Sequence, residues 1–176
     1  MSALESPRAH DTERTVTQRP IRPDDAERLA RLFDRLSPTS RYRRFFSPVA
    51  KLPRTMLHRL AIVDHDRREA IVAVHGDEVV GVASYEGDAD DATAAEVAVL
   101  VDDDWQRAGI ATFLLDRLAR EARAHGVETF TATVLADNVP AVALTRTLNR
   151  FARMQGTGPE RTLVMPLRRP PTSNSA

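Results

Sequence analysis

The stretch best suited to chemistry runs from Val97 to Leu115. Val97 to Val101 reads as a strand, Asp102-Asp103-Asp104-Trp105 ends it, and Gln106-Arg107-Ala108-Gly109-Ile110-Ala111 opens a helix. A helix N-terminus carries unpaired backbone N–H groups and about +0.5 of a charge, so it stabilises an anion without special side chains. Gly109 lets the backbone come close to such an anion, small Ala111 keeps the first turn uncluttered, and Arg107 adds a side-chain contact. The chain contains neither G-x-x-x-x-G-K-S/T nor G-x-G-x-x-G, which excludes two familiar nucleotide loops. An ordinary strand-to-helix turn would fit the same string, so the loop alone leaves both readings open.

Glu96 is the second candidate, a lone acid within Ala94-Ala95-Glu96-Val97-Ala98-Val99-Leu100-Val101. Burial on such a strand raises a carboxyl's proton affinity and would suit it to general-base work. A half-exposed glutamate with a structural partner is the alternative. Asp102 to Asp104 read as turn residues and helix caps. The five histidines (10, 58, 65, 75 and 125) show no ligand spacing, so no metal is expected. Ser84 lacks the G-x-S-x-G elbow of a serine hydrolase. With no cysteine there is no thiolate nucleophile and no disulfide. Tyr42, with Arg41, Arg43 and Arg44, either lines an acceptor side or forms a solvated helix face. Arg117, Arg120 and Arg123 read as a solvated stripe interrupted by Glu121.

The elements that must position these groups alternate along the chain. Thr15 to Arg22 reads as a strand, followed by a helix with one apolar face (Ala26, Leu29, Ala30, Leu32, Phe33, Leu36). Two short helices follow, one from Pro38 to Phe46 and one after Pro53. Glu69 to His75 and Glu78 to Tyr85, joined by Gly76-Asp77, predict an antiparallel hairpin. Ala94 to Val101 is a third β run, and Ile110 to His125 an amphipathic helix closed by Gly126. Then come a strand at Val127 to Leu135, a helix at Asn138 to Leu148 with Pro140 in its first turn, and closing strands at Phe151 to Met154 and Thr162 to Leu167. The expectation is an α+β fold: a mixed, mostly antiparallel sheet with helices on both faces.

Length and composition agree with one domain. A chain of 176 residues, 42% apolar and 28% charged, can bury a real core. Residues 14–167 are read as that domain, between polar tails at 1–13 and 168–176. Formal net charge is zero, so no global field favours nucleic acid or an anionic membrane as partner. No apolar run approaches the ~20 residues needed to span a bilayer, and the polar start carries no export signal, so a cytoplasmic location is expected. Lys51 is the only lysine, and every other basic residue is arginine.

Gln106 to Ala111 resembles the Gln/Arg-x-x-Gly-x-Gly/Ala signature of the GNAT superfamily of N-acetyltransferases, and Leu114 and Leu115 continue that motif into its helix. The segment Leu36-Ser37-Pro38-Thr39-Ser40-Arg41-Tyr42-Arg43-Arg44-Phe45-Phe46-Ser47-Pro48 resembles the catalytic domain of bacterial Pat-type protein lysine acetyltransferases, as does Ala95 to Val101. The resemblance implies acetyl-CoA as co-substrate, no metal, and a protein lysine as acceptor, possible targets including an acyl-CoA synthetase. In that branch the domain often sits beside a regulatory one, and no such neighbour is expected in these 176 residues. It further implies that backbone groups of Val99, Leu100 and Val101 pair with the pantetheine arm, and that N–H groups of Arg107, Ala108, Gly109, Ile110 and Ala111 hold the pyrophosphate. Gln106 belongs to the same cofactor loop, Asn138 would contact the cofactor, and Glu96 would be the base. Two positions depart from the family pattern. Leu148-Asn149-Arg150-Phe151 replaces Leu-Gly-Phe, where asparagine takes a left-handed cap less cheaply than glycine. The common tyrosine acid is missing, with Leu144 or Thr145 near its place.

The chemistry implied is demanding. A free lysine amine, with pKa about 10.4, is neutral in roughly one molecule per 2,500 at pH 7, a deficit of about 4.6 kcal/mol. A base that takes the proton contributes about 10²–10⁴-fold, orientation contributes more, and strand N–H groups near Val99 would stabilise the developing oxyanion. Without cysteine, direct attack in a ternary complex is favoured over an acyl-enzyme. A small-molecule amine acceptor and a non-catalytic acyl-CoA sensor are the alternatives. Either a monomer or a homodimer is compatible with the sequence.

Overall fold

A computed structural model describes residues 15–167; both tails expected from the sequence lie outside these residues. Seven strands form one sheet: β1 (Thr17–Pro20), β2 (Arg68–His75), β3 (Glu78–Gly87), β4 (Ala94–Val101), β5 (Thr129–Leu135), β6 (Arg153–Gln155) and β7 (Glu160–Pro166). Their order is β1-β2-β3-β4-β5-β7-β6. Every neighbouring pair is antiparallel except β4–β5, which is parallel. The mixed, mostly antiparallel sheet expected from the sequence is therefore present, and its single parallel joint lies at the start of the strand that leads to the candidate loop.

The helices α1 (Ala26–Arg35), α2 (Pro38–Phe45), α3 (Arg54–Ala61), α4 (Ile110–Ala124) and α5 (Val139–Leu148) complete the fold. One core packs α4, through Ile110, Leu114, Leu118 and Ala122, on Ala83, Tyr85, Ala95, Val97 and Phe130. The other packs Leu29, Leu32 and Phe33 of α1 and Leu57 of α3 on Ala70, Val72, Val79 and Val82. Alternation along β2 sends Ile71 and Ala73 to one set and Ala70 and Val72 to the other, and a bulge interrupts the β2–β3 pairing at the step from Val74↔Val79 to Ala73↔Gly81. Gly81 then lies beneath α4, where a Cβ would come within 3.2 Å of both Ile110 and Leu114 and within 3.3 Å of the Leu100 carbonyl. The absent side chain lets the start of α4 settle on the sheet.

Local chemistry sets the element ends. Ser37 caps α2 by accepting from the Ser40 N–H at 3.2 Å, with Pro38 in the first turn. Asn149 departs from the left-handed cap considered for it: its backbone is extended, at φ −150° and ψ 108°. Its side chain bridges instead, donating to the Pro166 carbonyl and accepting from the Phe151 N–H at 2.8 Å, so it ties α5 to β7 where glycine could not. The arginine stripe on α4 is also less solvated than expected. Arg117 donates to the Gln18 carbonyl at 2.9 Å and Arg123 to the Leu167 carbonyl at 3.2 Å.

Asp25 is fully buried at the junction of β1 and α1. Arg19 grips it through two bonds of 2.7 and 2.8 Å, the Arg22 N–H donates at 2.9 Å, and Arg28 approaches at 3.4 Å. Burial alone would raise this carboxyl's pKa, but the Arg19 fork, the Arg22 N–H and the charges of Arg19 and Arg28 outweigh it and hold the pKa below the usual value. Removing one partner of such a pair costs about 3–5 kcal/mol. Asp25→Asn should therefore lower Tm by roughly 6–12 °C, taking about 3 kcal/mol and 2–4 °C per kcal/mol. Because the folded-state pKa is depressed, this stabilisation is full above the unfolded value of about 3.9 and is lost as pH falls through the folded one. Melting curves below about pH 4 should show that loss in the parent chain and a flatter dependence in the variant.

Candidate active site

The parallel joint is short. β4 and β5 pair only at Ala94↔Thr129, Ala95↔Phe130 and Glu96↔Thr131. Beyond it, Val97 to Val101 pair with β3 alone, while Ala132 to Leu135 pair with β7 alone. The strands splay, leaving the β5-facing edge of Val97–Val101 without a strand partner. Backbone N–H and C=O groups on such an edge are ready to accept an extended ligand.

The loop after β4 has the geometry of an anion cradle. Arg107 and Gly109 both take positive φ, 62° and 79°, and Gly109 is the residue preceding α4. Among the described residues, the N–H groups from Arg107 to Thr112 meet no acceptor, and the first bond into the helix is Phe113 N–H to the Gly109 carbonyl at 3.0 Å. Ile110 is buried in the core, so this anchor offers only its backbone to the surface. Arg107, Ala108 and Gly109 are exposed, and Ala111 is half-buried.

The Gln106 side chain is engaged within the protein. Its amide donates to Asp103 Oδ1 at 3.0 Å, to Ser40 Oγ at 3.3 Å and to the Val101 carbonyl at 3.3 Å. Asp103 also accepts from the Ser37 N–H at 2.7 Å and from Ser40 Oγ at 2.6 Å. Asp102 is buried, takes Arg35 Nε at 2.6 Å and accepts from the Asp104 N–H at 3.1 Å. These acids are turn and cap residues, as expected, and they also fasten the loop to α1 and α2. Trp105 adds a ring contact with His75, with centroids 4.8 Å apart.

Two clefts converge on the splay. The first, of about 280 Å³, lies among β4, β5, α4 and α5; Val97, Val99, Leu115, Ala132, Asn138 and Leu144 help line it. It suits a slender arm, since whole small-molecule sites run to ~300–1,000 Å³. The second opens by α2 and α3, where Phe45, Met56, Leu60, Ser84, Glu69 and Glu86 line it. Arg44, Glu96 and Ala98 belong to both clefts.

Glu96 is not buried as the sequence led us to expect. It is exposed, because Ala95 and Val97 turn into the α4 core and alternation sends Glu96 to the opposite face, into the second cleft. Glu86 stands directly across the ladder from it. Such a like-charge pair is unfavourable, but Arg59 takes Glu86 at 2.6 Å and Arg68 approaches it at 3.9 Å. Among the described residues the Glu96 carboxylate has no hydrogen-bond or ion-pair partner. Its charge acts on the nearby Arg44 guanidinium without a hydrogen bond between them.

Asn138 is buried and caps α5, accepting from the Ala141 N–H at 3.3 Å, and it lines the first cleft. Thr145 turns its hydroxyl back to the Ala141 carbonyl at 2.8 Å, so neither it nor Leu144 supplies the missing acid. The arginines of α2 divide. Arg41 is structural, donating to the carbonyls of Leu36, Ala50 and Asp34 and lying 4.6 Å over the Phe33 ring. Arg43 and Arg44 line the first cleft, and Tyr42 is exposed. Sequence reasoning left Tyr42, Arg41, Arg43 and Arg44 unresolved together, and no signal in the string sets Arg44 apart from the other three. Among the described residues no cluster of His, Asp or Glu could hold a metal ion, and no helix is long and apolar enough to cross a membrane.

Asp103 joins four donors from two segments, so its removal should loosen both. Asp103→Ala is expected to lower stability by about 1–3 kcal/mol. Amide exchange should rise in residues 38–45 and 106–110 more than in β2 and β3. Uniform protection in the variant would show that the clamp is unimportant.

Residues 29–149, more than half of the chain, match the Acetyltransferase (GNAT) family. The chain is 38% identical over 123 residues to Acetyltransferase Pat of Mycolicibacterium smegmatis, covering 69% of this chain and 37% of that protein. It is 33% identical over 120 residues to Acetyltransferase PA5475 of Pseudomonas aeruginosa, covering 66% of this chain and 64% of that protein. The chain thus spans less than two thirds of the length of either relative. Among solved structures, the GNAT domain of S. lividans PAT superposes with a TM-score of 0.79 at 31% identity, over 85% of this chain and 89% of that one. A cAMP-binding acyltransferase from Mycobacterium smegmatis superposes at 0.58 with 32% identity, over 85% of this chain and 43% of that one. The splayed sheet, the open amide loop and these likenesses agree: the chain belongs to the Acetyltransferase (GNAT) family.

Proposed function

We propose that the chain moves an acetyl group from acetyl-CoA to a lysine amine of a protein acceptor by direct attack in a ternary complex. The observation that carries this reading is the meeting of two clefts at Arg44, Glu96 and Ala98. A thioester entering along β4 and an amine entering past α3 would reach the same point from different sides of the sheet.

Each group has a role in this scheme. N–H groups from Arg107 to Ala111 hold the pyrophosphate, with Gly109 giving close approach. The free edge at Val99, Leu100 and Val101 pairs with the pantetheine arm, and strand N–H groups there polarise the thioester carbonyl. Asn138 shapes the wall against that arm. Gln106 acts indirectly, by fixing the loop to Asp103 and Ser40. Glu96 accepts the amine proton, directly or through one water, and exposure towards the acceptor cleft puts it within a protein side chain's reach. The protein acceptor is favoured by the likeness to the GNAT domain of S. lividans PAT. An acyl-CoA synthetase as target and a cytoplasmic setting complete the proposal.

Glu96→Gln should lower kcat by about 10²–10⁴-fold while leaving coenzyme A affinity within threefold. Labelled acetyl-CoA given to the purified chain with a lysate should mark protein lysines, whereas label found only on free small amines would replace the protein acceptor. Normal turnover in the glutamine variant would remove Glu96 as base.

A further inference from the structure

Arg44 is half-buried on α2 and lines both clefts where they meet. Among the described residues its guanidinium makes no hydrogen bond or ion pair; it lies over the Phe45 ring, 5.0 Å from the centroid. A guanidinium carries five N–H donors and cannot be neutralised by losing a proton. Where the protein supplies no acceptors to such a group, water or a ligand in the cleft must do so. Burial lowers its pKa from the usual arginine value, opposed by the charge of Glu96, which shares the junction without pairing with it.

The surroundings fix where these donors lie. Phe45 packs edge-on against buried Phe33 at 5.6 Å, and Ser40 is clamped to Asp103, so α2 is held at both ends against the core and the cofactor loop. Two nearby carboxylates on other elements are already engaged, Glu86 with Arg59 and Arg68, and Glu69 with His65 and its neighbour's N–H, while Glu96 faces Arg44 without a hydrogen bond. Arg44 also borders Ala98, Val99 and Leu100 of β4, the strand along which the thioester would lie.

We propose that Arg44 is a further catalytic residue, whose guanidinium donates to the thioester carbonyl oxygen and stabilises the oxyanion as the amine attacks. This rests on the ternary-complex reading above. In the step, the lone pair of the neutral amine forms the C–N bond while the carbonyl π pair moves onto oxygen, beside Arg44. That pair then returns, the C–S bond breaks, and its electrons leave on sulfur as thiolate. The ammonium proton passes to Glu96. No acid on α5 is required to protonate the sulfur, since thiolate, with a thiol pKa of about 8.5, is a tolerable leaving group near neutral pH.

The test compares the parent chain with Arg44→Met, which keeps length and apolar stem, and Arg44→Lys, which keeps charge but loses the fork. Calorimetry with coenzyme A and thermal melting establish that each variant folds and binds. Arg44→Met should lose about 10²–10³-fold in kcat, with KM for acetyl-CoA changed less than threefold and partial recovery in Arg44→Lys. Infrared spectra of bound carbonyl-¹³C acetyl-CoA, taken without acceptor, should show a lowered C=O band in the parent that moves back toward the free position in Arg44→Met, the residual shift coming from the strand N–H groups. An unshifted band in the parent, an equal shift in Arg44→Met, or kcat within threefold of the parent would each overturn the proposal. Glu96→Gln separates the two assignments, because it should lose turnover yet keep the band shift. Full activity in Glu96→Gln with an Arg44-dependent band would remove the base and leave Arg44 standing.

Discussion

The structure depends on one constraint: β4 and β5 are joined for three residue pairs and then held apart. Two parallel strands in register would ordinarily continue to pair, since an unpaired edge wastes hydrogen bonds. Here each strand's far half is committed elsewhere. The end of β4 is anchored by Arg35 on Asp102 at 2.6 Å and by the Asp102 N–H on the Val80 carbonyl at 2.9 Å. The end of β5 follows β7 down to Leu135↔Glu160, and the Ala136 N–H then donates to the Pro159 carbonyl at 2.7 Å. Residues of α2 border the opening on one side, and those of α4 and α5 on the other.

That splay links the remaining features. It exposes backbone along β4, brings the acid at Glu96 to the point where the clefts meet, and places the amide loop at the strand's end. The loop stays open because its anchors lie beside it. Ile110 is sunk in the core and Gly81 clears space for it, while Asp103 fastens the preceding residues to α2. The same clamp connects the helix that carries Arg44 to the segment with free N–H groups.

Much of this was legible in the sequence, for identifiable reasons. Gly109, Gly126 and Pro140 mark helix ends through backbone constraints that hold whatever surrounds them, and the valine-rich runs about Gly76-Asp77 define a hairpin by local chemistry. What failed depended on distant partners. Glu96 looked buried because its neighbours are apolar, yet the strand borders a cleft on the face it points to. Gln106 reads as part of the cofactor loop, and its bond to Ser40, 66 residues away in sequence, is not visible in the string. Arg41 and Arg44 look alike in the sequence; only packing against Phe33 makes one a staple and leaves the other's donors unused. Asn149 was judged against the glycine it replaces, whereas its side chain found a different role in bridging α5 to β7.

The most direct test of the central claim is amide-resolved NMR during titration with coenzyme A. A diphosphate gripped by the loop and an arm laid along the free strand edge would produce saturable shifts concentrated in Arg107 to Thr112 and Val97 to Val101, with β1 and β6 scarcely moved. Saturable shifts centred elsewhere, or none at millimolar ligand, would contradict the claim that the open amides and the splayed strand form the cofactor site.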